Sequence, residues 1–209
     1  MRKYITEFIG TFFLVITVGL TVIGAAGPMT SLAIGAVLMV MIYAGGHISG
    51  GHYNPAVTLA VLIRGRINIM DAIAYILVQV GGAAAAALVV KYFLANKMPA
   101  EAVLNPDPTK ALIAELIGTF ALAYVVLNVA TAKANANNSY FGLAIGFTVT
   151  AMGYALGSYS GGAFNPAVAI GAIFMKMIAW ADIWLYLAGC FGGGILAALV
   201  FRLTNPDDK

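Results

Sequence analysis

The sequence predicts an all-α integral membrane protein with six transmembrane helices, two re-entrant half-helices and two inverted repeats. Three observations predict it. First, 62% of the 209 residues are hydrophobic and only 9% are charged, whereas a soluble domain carries roughly 25% charge to cover its surface. Second, six apolar segments approach the ~20 residues that span a bilayer as a helix, and two further ones reach only half that length. Third, the chain repeats itself at a nearly constant offset.

The full spans run near Tyr4–Gly24, Ser31–Gly46, Ala72–Leu94, Ala111–Ala132, Tyr140–Leu156 and Ile183–Leu203. The first follows Met1-Arg2-Lys3 and is too long for a signal peptide, so it is read as a retained span. The short stretches are Asn54–Ile63 and Asn165–Met175. At about 1.5 Å per residue each reaches about 15 Å, as expected where a chain enters the bilayer and turns back.

Ser49-Gly-Gly-His-Tyr-Asn-Pro-Ala-Val57 pairs with Ser160-Gly-Gly-Ala-Phe-Asn-Pro-Ala-Val168, seven matches in nine positions with Asn165 lying 111 positions after Asn54. The same offset pairs Leu32-Ala-Ile-Gly35 with Leu143-Ala-Ile-Gly146, and Ala86-Ala-Leu-Val89 with Ala197-Ala-Leu-Val200. Glu7-Phe-Ile-Gly-Thr-Phe12 pairs with Glu115-Leu-Ile-Gly-Thr-Phe120 at an offset of 108. One domain, 1–209, thus holds repeat 1 (about 1–97) and repeat 2 (about 109–209). Three spans per repeat force the second copy upside down, so the half-helices enter from opposite faces and their Asn-Pro starts meet near the midplane.

Basic residues set the orientation. Arg2, Lys3, Arg64, Arg66, Lys133, Arg202 and Lys209 fall on one side and Lys91, Lys97, Lys110 and Lys176 on the other, which places both termini in the cytoplasm of a cell (inner) membrane protein. Although the net charge is +3, these residues flank apolar runs and form no stripe, so nucleic acid is excluded as a partner.

The Asn-Pro-Ala pair carries the chemistry. Asn is a favoured N-cap, because its side-chain oxygen accepts an orphan N–H of the first turn, and Pro suits the first helical position. Asn54-Pro55-Ala56 and Asn165-Pro166-Ala167 therefore read as helix starts, each leaving an amide NH₂ to donate into the space ahead. Two helix N-termini, each worth about half an elementary charge, make a positive centre that repels cations. Amide donors there bind the oxygen of a neutral guest and interrupt a proton wire.

These residues identify the chain as similar to the major intrinsic protein family of aquaporins and aquaglyceroporins, as a bacterial-type member. The resemblance rests on the Glu-x-x-Gly-Thr-Phe openings, on Gly46–Val57 and on the second Asn-Pro-Ala, and it covers essentially the whole sequence. It implies a right-handed six-helix bundle, a homotetramer in the lipid bilayer, and one passive pore per subunit for water or small neutral solutes. It also implies a narrow selectivity filter, in which most of the family has an arginine directly after the second motif. Here that position is Val168, and the other filter positions fall on Ile34, Gly153 and Gly162. Such a constriction is wider, more apolar and free of fixed charge, so glycerol-sized solutes are expected beside water.

Glu7 and Glu115, the acidic residues deep in spans, occupy equivalent repeat positions; the resemblance implies that they support the re-entrant loops from behind. For His47 and His52, before the first half-helix, two readings stay open: lining a vestibule or satisfying loop carbonyls. Cys190 and the Gly81-Gly82 and Gly192–Gly194 runs read as packing residues, and Lys97–Pro108 as an exposed outer loop. No metal site and no cofactor are expected. The competing readings are a secondary transporter, a facilitator of ammonia or another small neutral solute, and an intramembrane enzyme. A transporter needs titratable groups along its path, and an enzyme needs paired carboxylates, a Ser/His pair or a metal cluster; neither set is visible.

Overall fold

The computed structural model describes residues 1–208. In chain order its helices are α1 (Arg2–Val22), α2 (Thr30–Ser49), α3 (Pro55–Arg64), α4 (Ile69–Phe93), α5 (Pro108–Val126), α6 (Phe141–Ser160), α7 (Pro166–Phe174) and α8 (Ile183–Thr204). Six of them are long and apolar enough to cross a membrane; α3 and α7 are the half-length pair. Much of the long helices' surface is apolar and exposed, as at Leu77, Leu88, Tyr92 and Leu199, which is the surface a bilayer covers.

Small residues set the helix crossings. A Cβ at Gly82 of α4 would meet the backbone of Phe8 and Phe12 on α1, and one at Gly193 of α8 would meet that of Leu116 and Phe120 on α5. α2 and α6 cross where Gly35 and Gly146 lie against each other's backbone. Since these two glycines are equivalents in the repeat, the pseudo-twofold axis passes between them. Each half-helix packs mainly on the other repeat, α3 on α8 and α7 on α4, so neither half is a finished unit alone.

Two boundaries differ from those expected. α2 continues three residues past Gly46 to Ser49, where Gly50 takes the left-handed conformation (φ 90°) and stops it. The fourth span closes in a π-helical turn, Leu127–Thr131. Asparagines in and after this turn satisfy carbonyls at its end: Asn128 Nδ2 donates to Tyr124 O (2.8 Å), Asn135 Nδ2 to Asn128 O (3.0 Å) and Asn138 Nδ2 to Val129 O (2.7 Å). These three asparagines thus cap the end of the span.

Both described chain ends lie on one face, here the terminal face. Asp208 accepts from Arg64 Nη2 (2.6 Å), Arg66 Nη2 (3.4 Å) and Lys133 N–H (2.8 Å), joining the C-terminal end to the loops after α3 and the π turn. These bonds hold the Asp208 carboxyl below its ordinary pKa; the Lys133 N–H is the largest cause, followed by the Arg64 charge.

Candidate functional site

Each re-entrant loop is held from behind by a buried glutamate. Glu7 Oε1 accepts from Ser49 Oγ (2.7 Å) and His52 N–H (2.9 Å), and Oε2 from Tyr53 N–H (2.7 Å) and Gln79 Nε2 (2.8 Å). Glu115 repeats the pattern with Ser160 Oγ (2.7 Å), Ala163 N–H (3.0 Å), Phe164 N–H (2.6 Å) and, weakly, Cys190 Sγ (3.4 Å). Tyr75 and Tyr186 donate to the Ser49 and Ser160 carbonyls. Four donors converge on each carboxylate, which fills its four acceptor sites.

The glycine three residues after each glutamate explains the rest of that opening motif. A Cβ at Gly10 would collide with the ring of Tyr53, and one at Gly118 with the ring of Phe164. These rings belong to residues forced into the left-handed region, at φ 48° and 46°. A non-glycine residue held there stores strain, and here the anchored N–H groups and the ring pocket hold it. The bend turns the next residue, Asn54 or Asn165, towards the molecule's centre.

Both asparagines cap their half-helices. Asn54 Oδ1 accepts from Ala56 N–H (2.8 Å) and Val57 N–H (3.4 Å), and Asn165 Oδ1 from Ala167 N–H (2.9 Å) and Val168 N–H (3.4 Å). Pro55 and Pro166 take the first helical positions. The amide groups are not wholly free, as the sequence implied: Asn54 Nδ2 donates to Phe164 O and Asn165 Nδ2 to Tyr53 O, both at 2.9 Å. One hydrogen of each amide therefore ties the two repeats together, head to head. The other remains for a guest.

A cavity of about 540 Å³ leads to this centre, lined by Asn54, Asn165 and apolar side chains including Val18, Leu38 and Leu122. Ile34, Gly153, Gly162 and Val168 all line it. Pro55, Ala56, Pro166 and Ala167 are buried in the half-helix starts and are not among the lining residues. A second cavity of about 660 Å³ lies on the terminal face, with Lys3, Arg66 and Asp71 in its wall. His52 and Val126 border both cavities and so mark the division between them.

The histidines part company. His52 lines the passage, while His47 is exposed on the last turn of α2 and borders neither cavity. The sequence had placed both in a loop; the longer α2 carries His47 round to the outer side. The loop expected to lie exposed over the opposite face does so: eight of its twelve residues are exposed and none is buried. Lys97, Pro99, Val103 and Leu104 also line the cavity that leads to the paired asparagines, and the loop is fixed by Leu104 N–H to Met177 O (3.0 Å) and Lys176 Nζ to Ala100 O (3.0 Å). Its participation was missed because the contacts are to residues over seventy positions away. Among the described residues there is no cluster of three or more His, Cys, Asp or Glu side chains able to hold a metal.

A head-to-head pair of capped half-helices within six spans, at the end of an apolar cavity, defines a membrane channel. The sequence matches the Major intrinsic protein family over residues 1–201, and the chain belongs to that family. It is 41% identical to glycerol uptake facilitator protein-like 6 of Lactiplantibacillus plantarum, with all of both chains covered. It is 37% identical to aquaporin PIP1-3/PIP1-4 of Zea mays, over 97% of this chain and 77% of that one. The aquaglyceroporin of Plasmodium falciparum has the same fold, with a TM-score of 0.82 at 22% identity over 98% of this chain and 97% of that one. The protein is a passive small-solute channel of the membrane, not an enzyme.

Proposed function

We propose that the channel conducts water together with glycerol-sized neutral solutes and excludes ions. The observation that carries this reading is the character of the cavity that leads to the paired asparagines. Apolar side chains and five glycines dominate the lining of the approach to the amide donors, and Val168 adds no charge beside them. A hydrated ion would surrender its water to an apolar wall and meet two positive helix ends, a cost of several kcal/mol or more. A neutral polyol surrenders only a few hydrogen bonds, and its carbon backbone suits the same wall. The name of the L. plantarum relative, a glycerol uptake facilitator, supports the choice.

Ile34, Gly153, Gly162 and Val168 form the selectivity filter in this reading, and Glu7 and Glu115 support the loops. Ion exclusion by paired amides and helix dipoles argues against a coupled transporter. Both termini face the cytoplasm, following the excess of basic residues on the terminal face. The exposed apolar helix faces contact lipid or, in a homotetramer, neighbouring subunits.

Reconstitution in liposomes tests the reading by stopped-flow light scattering, with sucrose and then glycerol as osmolyte. The expected trace is fast shrinkage in both, with rapid re-swelling in glycerol. Fast shrinkage without re-swelling would show a water-selective pore and refute the wide filter. No acceleration over empty liposomes would refute the open channel.

A further inference from the structure

Beside the four filter positions stands a hydroxyl that none of them includes. A Cβ placed at Gly153 of α6 would lie 2.9 Å from Ser31 Oγ and 3.1 Å from Ser31 Cβ, so the serine occupies space that a side chain at 153 would take. Ser31 lies three positions before Ile34 on α2, the spacing that puts two side chains on one helix face. Ser31, Ile34 and Gly153 all line the cavity that leads to the paired asparagines.

The other repeat fills the same place differently. The 111-residue offset pairs Ser31 with Gly142 and Gly153 with Ile42. Towards the terminal face the fold thus has glycine and isoleucine where, at the far end of α2, it has serine and glycine. Gly142 is buried, and a Cβ there would meet the ring of Tyr43. Packing of α2 on α6 therefore needs no hydroxyl at this place, since the equivalent place does without one.

The hydroxyl is also unspent. On these helices Thr11, Thr17, Thr21 and Thr148 donate to the carbonyl four residues back, at 2.7 to 2.8 Å. Ser31 is in the first turn of α2, and four residues back is Gly27, whose carbonyl takes the Thr30 N–H. Ser31 Oγ has no protein partner among the described residues, and it is not among the enclosed unpaired atoms.

The filter residues themselves offer a solute no side-chain donor. Gly161, Gly162 and Ala163, which line the same cavity, spend their N–H groups inside the protein, on Gly157 O (2.8 Å), Ser160 Oγ (3.1 Å) and Glu115 Oε1 (3.0 Å). What that segment has left is carbonyl oxygen, which only accepts. A solute hydroxyl needs both an acceptor for its hydrogen and a donor for its oxygen, and a serine hydroxyl can be either.

We propose that Ser31 is a fifth member of the filter, whose hydroxyl bonds the hydroxyl groups of a passing neutral polyol. It supplies the donor that the charge-free set Ile34, Gly153, Gly162 and Val168 lacks. This deepens the channel reading above and rests on it.

Liposomes carrying wild type, Ser31→Ala and Ser31→Cys are compared by stopped-flow light scattering in sucrose and in glycerol. Ser31→Ala should lower the ratio of glycerol to water permeability about two- to tenfold, the equivalent of one hydrogen bond. Water suffers less, because neighbouring waters remain as partners. Ser31→Cys keeps nearly the same shape but bonds weakly, so its ratio should fall with that of the alanine variant. A serine that only sets the width predicts the reverse: a raised ratio in Ser31→Ala and an unchanged one in Ser31→Cys. Either of those results overturns the proposal. Both variants should denature in detergent at the wild-type temperature, since the hydroxyl has no protein partner to lose. A ratio that falls only together with the denaturation midpoint makes Ser31 a packing residue and overturns the proposal too. An active wild type whose ratio is unmoved in both variants overturns the Ser31 contact alone, whereas a wild type that accelerates neither solute overturns the channel reading.

Discussion

Replacing Glu7 by Gln changes one oxygen into an NH₂ group at a site fully buried from solvent. Four donors aim at the native carboxylate, two at each oxygen. An amide has one acceptor end, so whichever way it turns, two donors face a donor. The cheaper orientation points the NH₂ at Ser49, whose hydroxyl can reverse, and leaves the His52 N–H unpaired. One buried donor lost, together with the charge assistance on the remaining bonds, costs about 2–4 kcal/mol. The same change at Glu115 is milder. Its cheaper orientation leaves Ala163 N–H, which is only part-buried and can be hydrated, and the Cys190 contact is weak. The midpoint of thermal denaturation in detergent should therefore fall for both variants and further for Glu7→Gln, with water permeability lost when loop anchoring fails. The reasoning is refuted if Glu7→Gln denatures with wild type, or if Glu115→Gln is the less stable of the two.

Other perturbations follow from the same geometry. Val168→Arg places a long charged side chain in the cavity that leads to the asparagines, and should cut glycerol permeability at least about tenfold while sparing water, in the liposome assay. Gly10→Ala or Gly118→Ala drives a methyl group into the ring of Tyr53 or Phe164; overpacking of this kind costs about 1–3 kcal/mol, visible as a lower denaturation midpoint. For Asp208, a folded-state pKa below the ordinary 3.8 means that its anchoring is complete above that value and is lost as pH falls through the lower one. Hydrogen exchange of the terminal-face loops should hence stay constant from neutral pH down to about 4 after correction for intrinsic rates. Asp208→Asn should speed it at neutral pH.

Much of this protein was legible before any coordinates because its signals are local or repetitive. Charge depletion and segment length declare lipid as the solvent, and a half-length apolar run cannot cross it. Asn-Pro declares a helix start through bonds spanning two or three residues, and both caps form as read. The repeat supplied the pairing of Glu7 with Glu115 and of the two motifs. Ile34, Gly153, Gly162 and Val168, the positions expected to form a filter, all fall on the wall of one cavity.

What the sequence could not decide depends on contacts between distant segments. The mutual bond between each asparagine amide and the other repeat's carbonyl joins residues 110 and 112 positions apart. His47 and His52 look alike in the sequence, yet three further residues of α2 leave one exposed and the other on the wall of both cavities. The bonds that fix the loop before α5 and the Asp208 anchor likewise depend on distant partners. Local propensity fixes where helices begin and how long they run; which face of each meets the pore is settled only when the two repeats close on one another.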